Sequence, residues 1–70
     1  MGMKYYQLKN ENEKDLAVIK AHSGYEALGY YMIEKNEEAL QVEDINVRKI
    51  HLPQVSKFRA MGVPYYDLSY

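Results

Sequence analysis

The chain of 70 residues contains no cysteine and no tryptophan. Without cysteine, neither a disulfide nor a zinc site built on thiolates can brace the fold. A chain of this length has a thin core, and folding alone becomes marginal near this size. Stability must therefore come from side-chain packing or from a partner, and a homodimer would be a natural remedy.

Long apolar runs and a leader sequence are absent as well. The longest apolar stretches are far too short to span a membrane, and no basic, apolar leader opens the chain. We therefore expect a cytoplasmic protein with no membrane partner. Hydrophobic residues make up 47% of the chain and charged residues 27%, which favours a single folded domain over residues 1–70 rather than a disordered tail.

The sequence motifs of common enzyme sites are also missing. There is no phosphate-binding loop, dinucleotide-binding fingerprint or nucleophile elbow. His22 and His51 lack the spacing of metal ligands, and Ser23 and Glu26 are explained by a helix cap rather than by catalysis. We therefore predict that the protein is not an enzyme and uses no metal or cofactor.

Tyrosine, by contrast, is abundant. The chain has eight tyrosines, and six of them form three adjacent pairs: Tyr5-Tyr6, Tyr30-Tyr31 and Tyr65-Tyr66. Neighbouring side chains point to opposite faces of a strand and diverge by about 100° on a helix. A small domain with one core can rarely bury both members of a pair, so several tyrosines should be exposed. Exposed tyrosines are typical of a recognition surface.

Hydrophobic periodicity and turn residues predict the element order β-β-α-β-α. The predicted strands are Met3–Lys9, Asp15–Ala21 and Val42–Leu52, the main helix runs from Gly24 to Asn36 or Leu40, and a short helix opens at Leu52-Pro53 and stops at Gly62. This order predicts an α+β fold in which a small, mainly antiparallel, three-stranded sheet packs against one main helix.

The aromatic C-terminal segment, residues 63–70, has two interpretations. It either docks as a short edge strand or is itself a peptide that binds another molecule. A sheet of three strands leaves one face and both edges poorly covered, and this is a second reason to expect a partner.

The main helix begins with a clear signal, because Ser23 and Glu26 have the spacing of a capping box. On a helical wheel one apolar face is formed by Tyr25, Leu28, Met32 and Ile33. We expect this face to pack on the sheet, with Gly29 allowing a close approach. Tyr30 should point outward, and Tyr31 should lie at the rim.

Charge is segregated along the chain although the net charge is only −1. The acids between residues 34 and 44 are Glu34, Glu37, Glu38, Glu43 and Asp44, and the basic residues between 48 and 59 are Arg48, Lys49, Lys57 and Arg59. Such runs are usually solvated surfaces. They could also form a bipolar surface that pairs with a complementary partner or with a second copy.

Residues 18–28, VIKAHSGYEAL, resemble a junction in many small phage and mobile-element proteins. In those proteins a strand ending in V-x-x-A runs into a capped helix beginning S-x-x-E-A. Gly24 and Tyr25 replace the acids that usually follow the serine. The resemblance carries no catalytic residue. It implies a protein that binds a larger host protein and blocks or redirects it.

Together these features predict a small protein-interaction module, a phage-type inhibitor or regulator. The predicted anchors are Tyr30, Tyr65, Tyr66 and Tyr70, and the residues predicted to set orientation and association rate are Arg48, Lys49, Lys57 and Arg59. The alternative is a binder of single-stranded nucleic acid, or a small transcriptional regulator, that uses the basic segment 48–59 and neighbouring aromatic rings. The slightly negative net charge argues against that alternative.

Overall fold

A computed structural model describes residues 2–35 and 45–69 of the chain. The elements are β1 (Lys4–Asn10), β2 (Asp15–Ala21), α1 (Gly24–Lys35), β3 (Ile45–Ile50), α2 (Leu52–Ala60) and β4 (Tyr65–Asp67). The predicted α+β class is confirmed. The bounds of β2 and the first residues of both helices agree with the sequence prediction.

The sheet has four strands in the order β3-β1-β2-β4. Strand β1 pairs antiparallel with both β2 and β3, whereas β4 runs parallel to β2. Backbone hydrogen bonds hold β4 in place: the N–H of Val18 donates to Pro64 O and the N–H of Leu68 donates to Lys20 O, both at 2.9 Å. The sequence predicted three strands and left open whether the C-terminal segment forms a further edge strand; the segment does dock as an edge strand, so that interpretation is confirmed and the described sheet has four strands.

The two helices cover opposite faces of this sheet. On one face, α1 packs Ala27 and Tyr31 against a cluster that includes Leu8 and Ile19. On the other face, Val55 of α2 packs with Val18 and Ile50. We call these two groups the α1-side cluster and the α2-side cluster. The prediction of packing against a single main helix is corrected, because both faces of the sheet carry apolar residues and both are covered.

This arrangement explains why the tyrosine pairs are not exposed as predicted. Tyr6 and Tyr66 pack against the α1-side cluster, and their neighbours Tyr5 and Tyr65 pack against the α2-side cluster. Strand alternation sends the two members of each pair to opposite faces. Because each face has its own cluster, both members are half-buried.

Helix α1 begins with the predicted cap. Ser23 Oγ accepts a hydrogen bond from the Glu26 N–H at 3.1 Å. Glu26 Oε1 accepts one from the backbone N–H of His22 at 2.7 Å, one residue before the expected donor, and lies 3.2 Å from His22 Nδ1. These hydrogen bonds favour the ionised carboxyl, so the pKa of Glu26 is lowered, chiefly by the backbone bond from His22.

The rotation of α1 about its axis differs from the prediction. Ala27 and Tyr31 are buried, whereas Tyr25 is 89% exposed and Ile33 is 82% exposed. Gly29 is also exposed, and a β-carbon placed there would meet no atom within 4 Å. The predicted buried face was therefore right for Leu28 and Met32, which are half-buried against the α1-side cluster, and wrong for Tyr25 and Ile33, because apolar residues surround most of the helix. The small side chain of Ala27, rather than Gly29, faces the sheet.

The hairpin between β1 and β2 is closed by side-chain capping. Asn10 Oδ1 accepts hydrogen bonds from the backbone N–H groups of Asn12, at 2.9 Å, and Lys14, at 3.0 Å. Glu13 has a φ of 64°, in the left-handed region, and its carboxylate lies 3.2 Å from Lys9 Nζ. Glu13 therefore has a backbone conformation that is unfavourable for any residue with a β-carbon.

Candidate functional site

A concave surface lies between α1 and the β3 side of the sheet. We call it the α1–β3 groove. It encloses about 370 Å³ and is lined by Tyr6, Gly24, Tyr25, Leu28, Val47 and Lys49. The three α1 residues form one wall, and the residues of β1 and β3 form the floor. Lys49 is the only charged residue among those that line it.

The rotation of α1 creates this groove. Burial of Ala27 and Tyr31 turns Tyr25 and Leu28 toward the β3 side of the sheet. Gly24 keeps the end of the groove open, because a β-carbon there would lie 3.3 Å from Val47 Cγ1 and 3.7 Å from Tyr6 Cε1. The floor and wall also continue into the α1-side cluster, since Tyr6, Leu28 and Val47 all pack against it.

Tyr25 is the exposed tyrosine of the described chain. The other six tyrosines within residues 2–35 and 45–69 are buried or half-buried. Sequence reasoning placed Tyr25 on the buried face and so missed it as a binding residue. The sequence held no signal that separates Tyr25 from Leu28 and Met32, which share its apolar stripe and do pack against the α1-side cluster.

The groove borders a sheet edge that carries positive charge. Strand β3 pairs with β1 on one side and has no neighbouring strand on its other side within the described sheet. Arg48 and Lys49 are both exposed on β3. The described residues form ion pairs between Lys9 and Glu13 and between His22 and Glu26, and none of them involves these two cations. Cations on an edge strand discourage indiscriminate strand pairing and favour an acidic partner.

The predicted aromatic anchors contact other parts of the domain. The rings of Tyr30 and Tyr66 lie 5.4 Å apart with an interplanar angle of 57°, and both pack against the α1-side cluster. Tyr30 is half-buried, so the prediction that it points outward was wrong: its ring lies against β4. Tyr70 lies outside the described residues.

Tyr65 is packed in a similar way on the other face. The guanidinium carbon of Arg59 lies 4.8 Å from the centre of the Tyr65 ring, within the range of a cation–π contact. Burial raises the pKa of the Tyr65 hydroxyl, with a smaller contribution from the charge of Asp67. This ring therefore contributes to the α2-side cluster rather than standing free for a partner.

The predicted basic residues do not share one surface. Arg48 and Lys49 are adjacent on β3 and so point to opposite faces of the sheet, while Lys57 and Arg59 are exposed on α2. Of the eight predicted binding residues, Lys49 lines the groove. The predicted acidic run falls largely on residues 36–44, outside the described residues.

Residues 2–35 and 45–69 contain no group of three or more His, Cys, Asp or Glu side chains arranged to hold a metal ion. Neither helix found there has the length and apolar character needed to cross a membrane. Comparisons of the chain with known protein families, with curated proteins and with solved structures find no match.

Proposed function

We propose that this protein is a small interaction module of the cytoplasm that binds a larger protein and inhibits or regulates it. The binding surface in this proposal is the α1–β3 groove together with the outer edge of β3. The observation that carries the proposal is the 89% exposure of Tyr25 on the wall of an apolar groove. A tyrosine side chain can bury roughly 150–250 Å² in an interface and is a frequent binding anchor.

The groove supports this function better than the tyrosine pairs do. Tyr30, Tyr65 and Tyr66 already pack within the domain, so a partner would have to displace those contacts to use them. Tyr25 and the neighbouring side of Leu28 need no such rearrangement. Interfaces of this kind usually form with little backbone movement.

The experiment is affinity capture from lysate with three forms of the protein: wild type, Tyr25→Ser and Ile33→Ser. Ile33 is the matched control because it is an exposed apolar residue of the same helix that does not line the groove. We expect wild type and Ile33→Ser to capture the same protein in equal amounts, and Tyr25→Ser to fail to capture it. Capture of this protein should persist after nuclease treatment. A protein retained equally by Tyr25→Ser would contradict the proposal.

The same experiment tests the nucleic-acid alternative. Exposed Arg48, Lys57 and Arg59 are the observation that favours it. Phe58 and Tyr65, aromatic residues within or near the basic segment, are instead packed against the α2-side cluster. If the captured material is lost after nuclease treatment, and also when Lys57 and Arg59 are replaced by alanine, the result would support nucleic-acid binding in place of a protein partner.

A further inference from the structure

We infer that the outer face of α1 is the interface of a homodimer, in which α1 packs antiparallel against α1 of a second copy with Gly29 at the crossing point. The outer face of α1 is defined by Tyr25, Gly29 and Ile33, which are all exposed. It differs from the α1–β3 groove, although Tyr25 borders both. A dimer of this kind would form whether or not a larger protein binds the groove.

The outer face of α1 is apolar where a helix normally meets solvent. Its three residues recur at every fourth position and so form one row along the helix. Tyr25 is 89% exposed and Ile33 is 82% exposed, and the row itself holds no charged residue. A surface helix usually presents polar side chains opposite its buried stripe. Since Ala27 and Tyr31 form the buried side, the exposed apolar row is best explained by a surface that covers it.

The row is self-complementary in shape. Gly29 lies midway between two large side chains, so the row is low at its centre and high at both ends. Rows of this spacing pack against each other at about −50°, with helix axes about 8–10 Å apart. A two-fold axis at Gly29 lets the helices cross where neither has a side chain. Tyr25 of each copy then packs beside Ile33 of the other, as an interface between identical surfaces requires.

Charge favours the antiparallel arrangement as well. Glu34 is exposed near the C-terminal end of α1. Antiparallel packing brings it close to Gly24 of the second copy, at the N-terminal end of the other helix, where the helix dipole favours a carboxylate. Parallel packing would instead bring the two Glu34 carboxylates together. A second copy in the antiparallel orientation therefore matches both the shape and the charge of this surface.

The size of the surface sets the expected strength of the dimer. One helix of 12 residues from each copy should bury less than the roughly 1,200 Å² in total at which stable interfaces begin. We therefore expect a weak dimer that forms at high protein concentration and dissociates on dilution. Because Tyr25 borders both surfaces, the dimer would compete with a partner in the α1–β3 groove, so affinity capture requires dilute, monomeric protein.

The first test adds bulk at the crossing point with Gly29→Gln. A β-carbon at this position meets no atom within 4 Å, and glutamine favours a helix more than glycine does, so the monomer should stay folded. The larger side chain should hold the two helices apart. We expect the dissociation constant of the dimer, measured by sedimentation equilibrium, to rise by roughly tenfold or more. The matched control, Ala60→Gln, places the same side chain on the exposed surface of α2 and should leave the dimer unchanged.

The second test uses the absence of cysteine from the chain. Helices packed at these distances place the two Gly29 Cα atoms about 4–5 Å apart, close to the separation that a disulfide spans. Gly29→Cys should therefore form a disulfide-linked dimer under mild oxidation. Ala60→Cys, oxidised at the same concentration, should remain monomeric. Equal cross-linking of the two variants would contradict a crossing at Gly29.

Sedimentation of the wild type and of two serine variants completes the test. Wild type that stays monomeric at about 1 mM would overturn the inference, and so would a dimer that Gly29→Gln leaves intact. Leu52 and Ile33 are exposed apolar residues of different helices. A dimer lost on Leu52→Ser but kept by Ile33→Ser would assign the interface to α2 and also overturn it.

The proposed function is decided separately, by whether Tyr25→Ser loses the captured protein. If it does while wild type never dimerises, the interaction module stands and the homodimer fails. If Tyr25→Ser captures everything that wild type captures while Gly29→Gln abolishes the dimer, the homodimer stands and the proposed function fails.

Discussion

Gly24 lies against Val47 so closely that even a methyl group would be tight: a β-carbon on Gly24 would be 3.3 Å from Val47 Cγ1. Gly24→Ala should therefore narrow the α1–β3 groove and weaken partner binding. Its effect on the free energy of unfolding should be small, because the gain in helix propensity offsets the tight contact. Partner affinity and urea denaturation measure the two effects separately.

Gly29→Ala is the matched control for this variant. It makes the same chemical change in the same helix, where the new methyl group meets no atom within 4 Å. We expect it to raise the free energy of unfolding by about 1 kcal/mol, as alanine does relative to glycine inside a helix, and to leave partner binding unchanged. If Gly24→Ala binds the partner as well as Gly29→Ala does, the groove is not the binding surface.

The cap of α1 predicts a specific acid sensitivity. Hydrogen bonds from His22 lower the pKa of Glu26 in the folded protein below the ordinary value of 4.5. A carboxyl with a depressed pKa stabilises the fold above its unfolded pKa, and this contribution disappears as the pH falls through the folded value. Glu26→Gln, which keeps the shape but not the charge, should be less stable than wild type at neutral pH.

Urea denaturation of both proteins over a range of pH checks this expectation. The difference between wild type and Glu26→Gln should shrink as the pH drops below 4.5 and through the lower folded pKa. A difference that stays constant across that range would mean that the Glu26 charge does not contribute to the cap.

Tyr66 should act mainly through packing. Its ring contacts that of Tyr30 at 5.4 Å and packs against the α1-side cluster. Tyr66→Ala should lower the free energy of unfolding by about 2 kcal/mol, roughly half the cost of truncating a fully buried aromatic ring. Tyr25→Ala, at an exposed position, should change it by less than about 0.5 kcal/mol. Equal effects of the two substitutions on the urea midpoint would refute this assignment of roles.

The hairpin offers a stabilising substitution. Glu13 occupies the left-handed region with a φ of 64°, where glycine avoids the clash of a β-carbon. Glu13→Gly relieves this strain but also removes the exposed ion pair with Lys9. The net effect should be a rise of about 0.5 kcal/mol in the free energy of unfolding. Lys9→Met removes the ion pair alone and should be slightly destabilising. Thermal denaturation of both variants tests the sign, and a destabilised Glu13→Gly would show that the ion pair outweighs the backbone strain.

Local signals in the sequence predicted much of the fold. The bounds of β2 and the start of α1 at Gly24 follow from turn residues and from the Ser23 and Glu26 cap, which depend on neighbouring residues only. The site could not be predicted in the same way. Apolar residues surround α1, so the choice of Ala27 and Tyr31 as its buried face depends on the sheet beneath it.

The pairing of β4 with β2 could not be read from local patterns either. The two strands are far apart in the sequence and run parallel, so their register depends on α2 and its cluster. The prediction that Tyr65 and Tyr66 are exposed binding anchors failed for a similar reason, because local patterns do not show how strands pack. Their adjacency shows that they point to opposite faces, but it does not show that both faces are covered.

The central position of β2 has a consequence for how the molecule opens. Ala17, Val18 and Ile19 are fully buried, and β2 lies between β1 and β4 with a cluster on each face. We expect the backbone amides of these residues to exchange with solvent mainly when the whole domain unfolds. Their hydrogen–deuterium exchange rates, under conditions of rapid refolding, therefore measure the global stability directly, whereas amides on the outer edge of β3 should exchange far sooner.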